Sequence, residues 1–355
     1  MTSSPALQGV PRERNYPYNC WWVAAFSHEV GRSLLPRWLL DTPVLLFRKE
    51  DGSVAALEDR CPHRQAPLSI GRLDGDTVEC GYHGFRFASS GQCVRVPSMD
   101  SPPALSVQNY PAREIGPLVW IYVGDQAVLD QVPPPPAMPW LTDSDFKTTS
   151  GQIEIAANYM LLKENVLDLT HLTFVHAKSF GIKDITHPPE MTSTTETVRY
   201  VQRFDNTPLP AGYAIALGLP PGTPWSRENY GAFLSPAIQM GGVDLWNPAA
   251  PDGPQKRIRF VHATTPVDQT HMRYFWIAAR DHANDEPTMA HFGKILEVGY
   301  AEDEAVLEAI QALENRRPRR GSSGERSVKA DAPAIQARRI IANWMAREAT
   351  APAGI

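Results

Sequence analysis

The chain has 355 residues, 43% hydrophobic and 21% charged, with a formal net charge of −5. That length suits two domains rather than one small carrier, and the composition suits a globular protein with a proper core. The mild acidity gives no reason to expect nucleic acid or an anionic membrane as partner, and no apolar run is long enough to span a bilayer.

In chain order, residues 1–19 carry prolines, arginines and a glutamate but no apolar h-region, so no secretory signal is expected. Cys20, Cys61, Cys80 and Cys93 make poor disulfide arithmetic and point to a reducing cytoplasm. Cys20, beside Trp21 and Trp22, reads as a buried inert thiol, and Cys93 carries no assigned chemistry. From Trp21 to Val123 short strands and turns alternate, an all-β pattern. Thr42 to Phe47 and Val54 to Leu57 flank Asp51-Gly52, a hairpin signal because both residues tolerate positive φ. Leu118 to Val123 is a further strand.

The run Val132 to Pro139 is a stiff, proline-rich connector. It divides the chain into residues 1–130, a linker at 131–140, and residues 141–355. In the last of these, Ser193 to Phe204, Arg257 to Thr264 and Met272 to Ala279 read as strands. Helices are predicted for Met160 to Phe174, for Gly299 to about Asn315, and for about Ala334 to Ala349. Ile335, Ile340, Ile341, Trp344 and Met345 give the last helix its apolar side, and the preceding proline suits a first helical turn. Arg316 to Ala332 is charged and rich in Gly, Ser and Pro, a mobile surface segment by composition. No internal repeat is present.

Two short motifs carry the first chemistry: Cys61-Pro62-His63 and Cys80-Gly81-Tyr82-His83. Each puts one thiolate and one imidazole on a single loop, so two loops meeting tip to tip supply four ligands. Cys61 and Cys80 on one iron, with His63 and His83 on the other, make a Rieske [2Fe–2S] centre, whose neutral imidazoles raise its potential. Pro62 stiffens its loop, Gly81 lets backbone approach the sulfides, and Leu68, Tyr82 and Phe85 are candidates for apolar shelter. A structural zinc site is the competing reading. Zinc fingers, however, pair cysteine with cysteine and histidine with histidine.

Downstream, Asn165, Asp168 and His171 recur every three residues and share a side of a helix. His176 lies five further on, so both histidines reach one metal only if the helix ends or distorts between them. The bland alternative is a patch of hydrogen-bonded core histidines. Two histidines need a carboxylate to complete a facial triad that leaves iron positions open for dioxygen. In Ala301 to Ile310, a step of about 100° places Asp303 on the stripe of Val306, Leu307 and Ile310, with Glu302 and Glu304 towards water. An acid on an apolar face is paired, protonated or metal-bound, which makes Asp303 the third ligand and Asp168 its rival.

Together these residues resemble the Rieske non-heme iron oxygenases, most of all oxygenase subunits of the vanillate O-demethylase and dicamba monooxygenase type. The resemblance runs from Tyr16-Pro17-Tyr18-Asn19-Cys20-Trp21-Trp22 past Glu302-Asp303-Glu304. It implies an α+β fold: a β-rich Rieske domain, then a helix-grip (START/Bet v1-like) catalytic domain with an antiparallel sheet. It also implies a head-to-tail homotrimer, in which His83 donates to Asp168 of the next subunit while Asp168 also holds His171, with Asn165 in support.

The implied activity is an O₂-dependent monooxygenase. Its electrons come from NAD(P)H through a separate flavin/ferredoxin-type reductase, since the chain has no Gly-rich dinucleotide fingerprint. A small aromatic substrate is implied, with O-demethylation of a methoxylated aromatic acid favoured. Ring hydroxylation or dihydroxylation, N-demethylation and methyl hydroxylation are alternatives on the same fold. An electron carrier and a zinc-stabilised binding module are more remote. In Ile258 to His262, alternation puts His262 inside, a candidate substrate contact or a core histidine bonded to backbone. Arg227 could meet a carboxylate but reads as a solvated loop arginine. His187 and His291 read as structural.

Overall fold

The computed structural model describes residues 16–177, 179–180, 182–185, 187–316 and 326–350. The first part holds ten short strands: β1 (Trp21–Phe26), β2 (Leu35–Leu39), β3 (Thr42–Arg48), β4 (Val54–Glu58), β5 (Arg72–Asp74), β6 (Thr77–Glu79), β7 (Arg86–Ala88), β8 (Cys93–Arg95), β9 (Ala112–Ile115) and β10 (Leu118–Tyr122). They form three antiparallel sheets, β1-β10-β9, β2-β3-β4 and β5-β6-β7-β8. β1 and β10 are buried along their whole length, which is why they read as unbroken apolar runs rather than as alternation. In the β3–β4 hairpin only Gly52 takes positive φ (85°). Asp51 contributes through its side chain instead, accepting from the Ser53 N–H and hydroxyl.

The second part is one seven-stranded antiparallel sheet. Its strands are β11 (Lys147–Ile155), β12 (Glu190–Ser193), β13 (Val198–Pro208), β14 (Pro224–Ser235), β15 (Ile238–Trp246), β16 (Lys256–Pro266) and β17 (Met272–Arg280), in the order β11-β17-β16-β15-β14-β13-β12. The helices are α1 (Tyr159–Leu167), α2 (Ala211–Ala216), α3 (Glu286–Asn315) and α4 (Ala332–Thr350). The strand predicted from Ser193 is two strands, because the Thr194 hydroxyl accepts the Glu196 and Thr197 N–H groups and reverses the chain. Of the segment Arg316 to Ala332, residues 317–325 lie outside the described residues, and Lys329–Asp331 form a 3₁₀ turn that leads into α4.

Helix α3 begins thirteen residues before the predicted start. Asp285 caps it, accepting from the Thr288 N–H at 3.0 Å, and Pro287 stands in its first turn. Gly293 and Gly299 weaken the helical signal there, yet both are pressed too close to neighbours, Thr149 and Phe180, for any Cβ. Helix α4 matches its prediction, with Ile340, Ile341 and Trp344 buried.

The two parts share one core in which Trp22 of β1 packs edge-on against Tyr159 of α1. Polar ties reinforce the junction. The Thr265 hydroxyl donates to the Val23 carbonyl, and the Glu348 carboxylate accepts the N–H groups of Tyr18 and Asn19.

Candidate metal centres and cavity

The two Cys-His loops are near copies. Gln65 N–H donates to Cys61 O as Gly84 N–H does to Cys80 O, and Cys61 N–H donates to Ala66 O as Cys80 N–H does to Phe85 O. Each turn contains one residue of positive φ, Gln65 at 60° and Gly84 at 71°. Cys61 and Cys80 are buried, while His63 and His83 are exposed with their rings 4.5 Å apart. Leu68 is fully buried behind the site, Phe85 stacks on His63, and Tyr82, itself 63% exposed, lies against His83 with ring centroids 3.9 Å apart. Gly81 is explained by the Ile70 carbonyl, 2.8 Å from where its Cβ would be.

Burial pushes the Cys61 thiol up to about 11, so its thiolate needs a cation beside it. The four side chains do not gather about one point: among the described residues, the group whose ligand atoms all lie within 4.8 Å is His171, His176 and Asp303. Sulfurs inside and imidazoles outside, too dispersed for one ion, fit a two-iron cluster and not tetrahedral zinc.

The second site depends on a break in the chain. Helix α1 stops at Leu167, and Asp168 turns extended (φ −123°, ψ 96°). Its carboxylate Oδ1 then caps a 3₁₀ turn, Leu169–Thr173, by accepting the Thr170 N–H and hydroxyl. The shared helical side read from Asn165, Asp168 and His171 therefore ends at Asp168. Past the break, the His171 and His176 rings stand 5.2 Å apart.

Asp303 Oδ1 lies 3.2 Å from His176 Nε2 and 3.7 Å from His171 Nε2. Metal bonds of about 2.1 Å at right angles put neighbouring ligand atoms about 3 Å apart, so the trio fits one ion with a face left open. The apolar stripe assumed for Asp303 is only partly real. Leu307 is buried, but Val306 and Ile310 are exposed, and the inward face runs through Leu296, Tyr300, Asp303, Leu307 and Gln311.

Each member of the trio is held from behind. Asn165 Nδ2 donates to Asp303 Oδ1 at 2.9 Å. His171 Nδ1 lies 2.6 Å from the Asp168 main-chain carbonyl, which fixes the tautomer that leaves Nε2 free for metal. Asp168 thus holds His171 by backbone rather than by carboxylate. Glu302 corrects the helical-wheel reading: only part of its side chain faces water, and its carboxylate accepts from His176 Nδ1 (2.9 Å) and the Ser179 hydroxyl (2.6 Å). Burial disfavours protonation of both histidines and takes His171 below its ordinary pKa. For His176, the Asp303 and Glu302 carboxylates outweigh burial and raise it. Glu302→Ala is expected to weaken iron(II) binding about tenfold or more in a titration of iron-free protein. An unchanged midpoint would mean the His176–Glu302 bond contributes no affinity.

The trio opens into a largely apolar cavity of about 450 Å³. Three cross-strand rows of the sheet supply its wall, all their members but Trp276 and Ala278 lining it. Nearest the trio are Trp276, His262 and Gln239; then Ala278, Phe260, Gly241 and Gly231; then Arg280, Ile258, Val243 and Asn229. Gly241 leaves its place in the middle row without a side chain, while the Tyr200 ring packs on Gly231, 2.5 Å from where its Cβ would be. His262 lines the cavity while its Nδ1 bonds the Tyr274 hydroxyl at 2.7 Å, not backbone. Burial pushes it down to about 4, so it is neutral. Gln239 donates Nε2 to the Lys163 carbonyl, leaving Oε1 buried without a partner.

Arg227 is not a solvated loop residue. It sits on β14, fully buried, bonded to Asp184 at 2.7 Å and stacked on Phe204. His187 is exposed over Phe204, while His291 lines the cavity. The contributions of Glu302, Gln239 and Arg280 had no signal in the linear sequence.

Comparison with known proteins agrees with this geometry. The Rieske [2Fe-2S] domain profile matches residues 20–111, and the vanillate O-demethylase oxygenase C-terminal domain profile matches residues 155–347. The toluene-4-sulfonate monooxygenase system iron-sulfur subunit of Comamonas testosteroni is 32% identical, over 85% of this chain and 90% of its own. The dicamba O-demethylase oxygenase component of Stenotrophomonas maltophilia is 33% identical, over 82% and 87%. The crystal structure of dicamba monooxygenase bound to 3,6-dichlorosalicylic acid superposes with a TM-score of 0.85 at 29% identity, covering 94% of this chain and 98% of that one. Each profile falls on one of the two metal sites, and the chain belongs to the Rieske non-heme iron oxygenases of the vanillate O-demethylase type.

Proposed function

We propose that this oxygenase removes the methyl group of a methoxylated aromatic acid, releasing formaldehyde, with Cys61, His63, Cys80 and His83 holding the cluster and His171, His176 and Asp303 the mononuclear iron. The convergence of that trio at the head of an apolar cavity carries the reading. When bound, the cluster supplies single electrons drawn from NAD(P)H through a separate reductase, and the iron(II) supplies the site where dioxygen is activated. The chain's own residues do the rest. Gly241 leaves floor space for a flat ring, Tyr200 packed over Gly231 bounds it with Phe260 and Tyr300, and neutral His262 with the Gln239 acceptor orients polar substituents. Hydroxylation at the methoxyl carbon gives a hemiacetal, which collapses to a phenol and formaldehyde.

Asp168 is proposed to bridge subunits in a head-to-tail trimer. Oδ1 is committed to Thr170, while Oδ2 has no partner among the described residues. His83 is exposed, and no hydrogen bond joins it to Asp168 within one chain. Oδ2 is free to accept the imidazole N–H of His83 of the partner subunit, and a head-to-tail contact of this kind closes into a ring. No described helix is long and apolar enough to cross a membrane. A cytoplasmic location is supported by Cys20 and Cys93, the two cysteines outside the proposed cluster, both buried and unpaired.

A second reading, hydroxylation of an aryl methyl group, draws on the similarity to the toluene-4-sulfonate monooxygenase subunit. Methoxylated, methylated and N-methylated aromatic acids, supplied with a surrogate reductase and NADH, distinguish the readings. Formaldehyde matching O₂ uptake from methoxybenzoates is expected. A benzylic alcohol from methyl arenes, with no formaldehyde from methoxy compounds, would replace the first reading with the second.

A further inference from the structure

We infer that Arg280 anchors an anionic group at the far end of an elongated aromatic substrate. This rests on the reading of His171, His176 and Asp303 as the reaction centre. Arg280 ends β17, is 4% exposed and lines the cavity. Its Nε donates to Met289 Sδ at 3.3 Å and its Nη2 to the Thr288 carbonyl at 3.1 Å, with the guanidinium over the Phe292 ring. Nη1 has no acceptor among the described residues.

The other buried or half-buried arginines of this sheet are neutralised. Arg227 pairs with Asp184, Arg257 with Asp281, Arg259 with Asp244 and Arg273 with Glu154. Arg280 has no carboxylate at ion-pair distance among the described residues. The nearby acids are already engaged: Asp285 caps α3 through Thr288, and Asp281 holds Arg257 and His282. A buried cation without a counter-ion is costly unless something completes it. A planar two-pronged donor suits a carboxylate or sulfonate.

Position fixes the length of the ligand. Arg280 lies in the third row, about 13 Å along β16 from the His262 row. It is tied to Thr288, about 22 Å along α3 from Asp303. An anion on the same ring as the reacting methoxyl cannot span that distance. A ring over Gly241, with its acid on a spacer reaching towards the third row, can.

The test uses the holoenzyme and ω-(4-methoxyphenyl)alkanoates of increasing chain length, each beside its neutral amide. Calorimetric Kd and formaldehyde release are both measured. Affinity is expected to pass through an optimum at an intermediate spacer, where the acid binds about tenfold or more tighter than the amide. Arg280→Met should bring that acid–amide ratio close to one, and Arg280→Lys should keep part of it. A chain-length profile without an optimum, or full discrimination surviving in Arg280→Met, overturns the anchor. If Arg280→Met does not fold, the wild-type acid–amide ratio against spacer length decides: a ratio independent of length refutes the proposal. Compounds that bind with the expected optimum yet yield no formaldehyde would refute O-demethylation and leave the anchor standing.

Discussion

Asp303→Ala is expected to empty the mononuclear site while the cluster's absorption and acid-labile sulfide stay intact. Asp303 Oδ1 is the point on which the site closes, within 3.7 Å of both histidine Nε2 atoms. Alanine leaves two neutral imidazoles, and Asn165 loses the acceptor 2.9 Å away. A two-imidazole site lacks the charge and the third donor that hold iron(II) in a facial arrangement. Turnover should therefore fall well beyond the roughly hundredfold loss that removing an outer hydrogen-bond partner produces. The four residues proposed to hold the cluster lie on the loops joining β4 to β5 and β6 to β7, far from α3 in sequence, so the cluster spectrum should not change. Iron analysis beside the absorption spectrum reads both sites in one sample. Full iron occupancy would reassign the carboxylate ligand to Asp168 or Glu302.

The proposed metal ligands were legible because chemistry constrains such residues locally. Paired Cys-His loops, two histidines five apart and an acid on a helix's inner face are patterns within a few residues of chain. The requirement that the helix distort between His171 and His176 was legible too, and Asp168 supplies it by leaving the helix and capping the next turn. What supports the ligands was not. Glu302 sits at the edge of any helical wheel, and only the turn after the 3₁₀ segment brings His176 and Ser179 to it. Arg227 looked solvated because nothing near it in sequence announces Asp184 or Phe204. Helix α3 looked short because its glycines serve packing against Thr149 and Phe180, which a propensity reading scores as weakness. The cavity is the least local feature: its floor sets Gly241 beside Gly231 and the Tyr200 ring packed on it, residues of three strands aligned only by register.

Asp168→Asn is expected to retain both metals yet lower turnover about a hundredfold or more. The substitution is nearly isosteric. Its amide oxygen can still accept the Thr170 N–H and hydroxyl, so the 3₁₀ turn survives. His171 keeps its bond too, because it is held by the main-chain carbonyl at residue 168 and not by the carboxylate. What changes is the second oxygen, which becomes an NH₂ donor. It can no longer accept an imidazole N–H, so the proposed contact with His83 of the partner subunit becomes donor against donor. The reductase should still bleach the cluster spectrum with NADH, while product formation stalls. That combination separates a broken bridge from a lost metal, which iron analysis would reveal, and from a misfolded subunit, which would lose the cluster as well. Mixing the variant with a His83 variant extends the argument to assembly. In a mixed ring, some interfaces place an intact His83 against an intact Asp168, and those alone should recover activity. An Asp168→Asn enzyme running at the wild-type rate would remove the bridge, and with it the reason to require a ring.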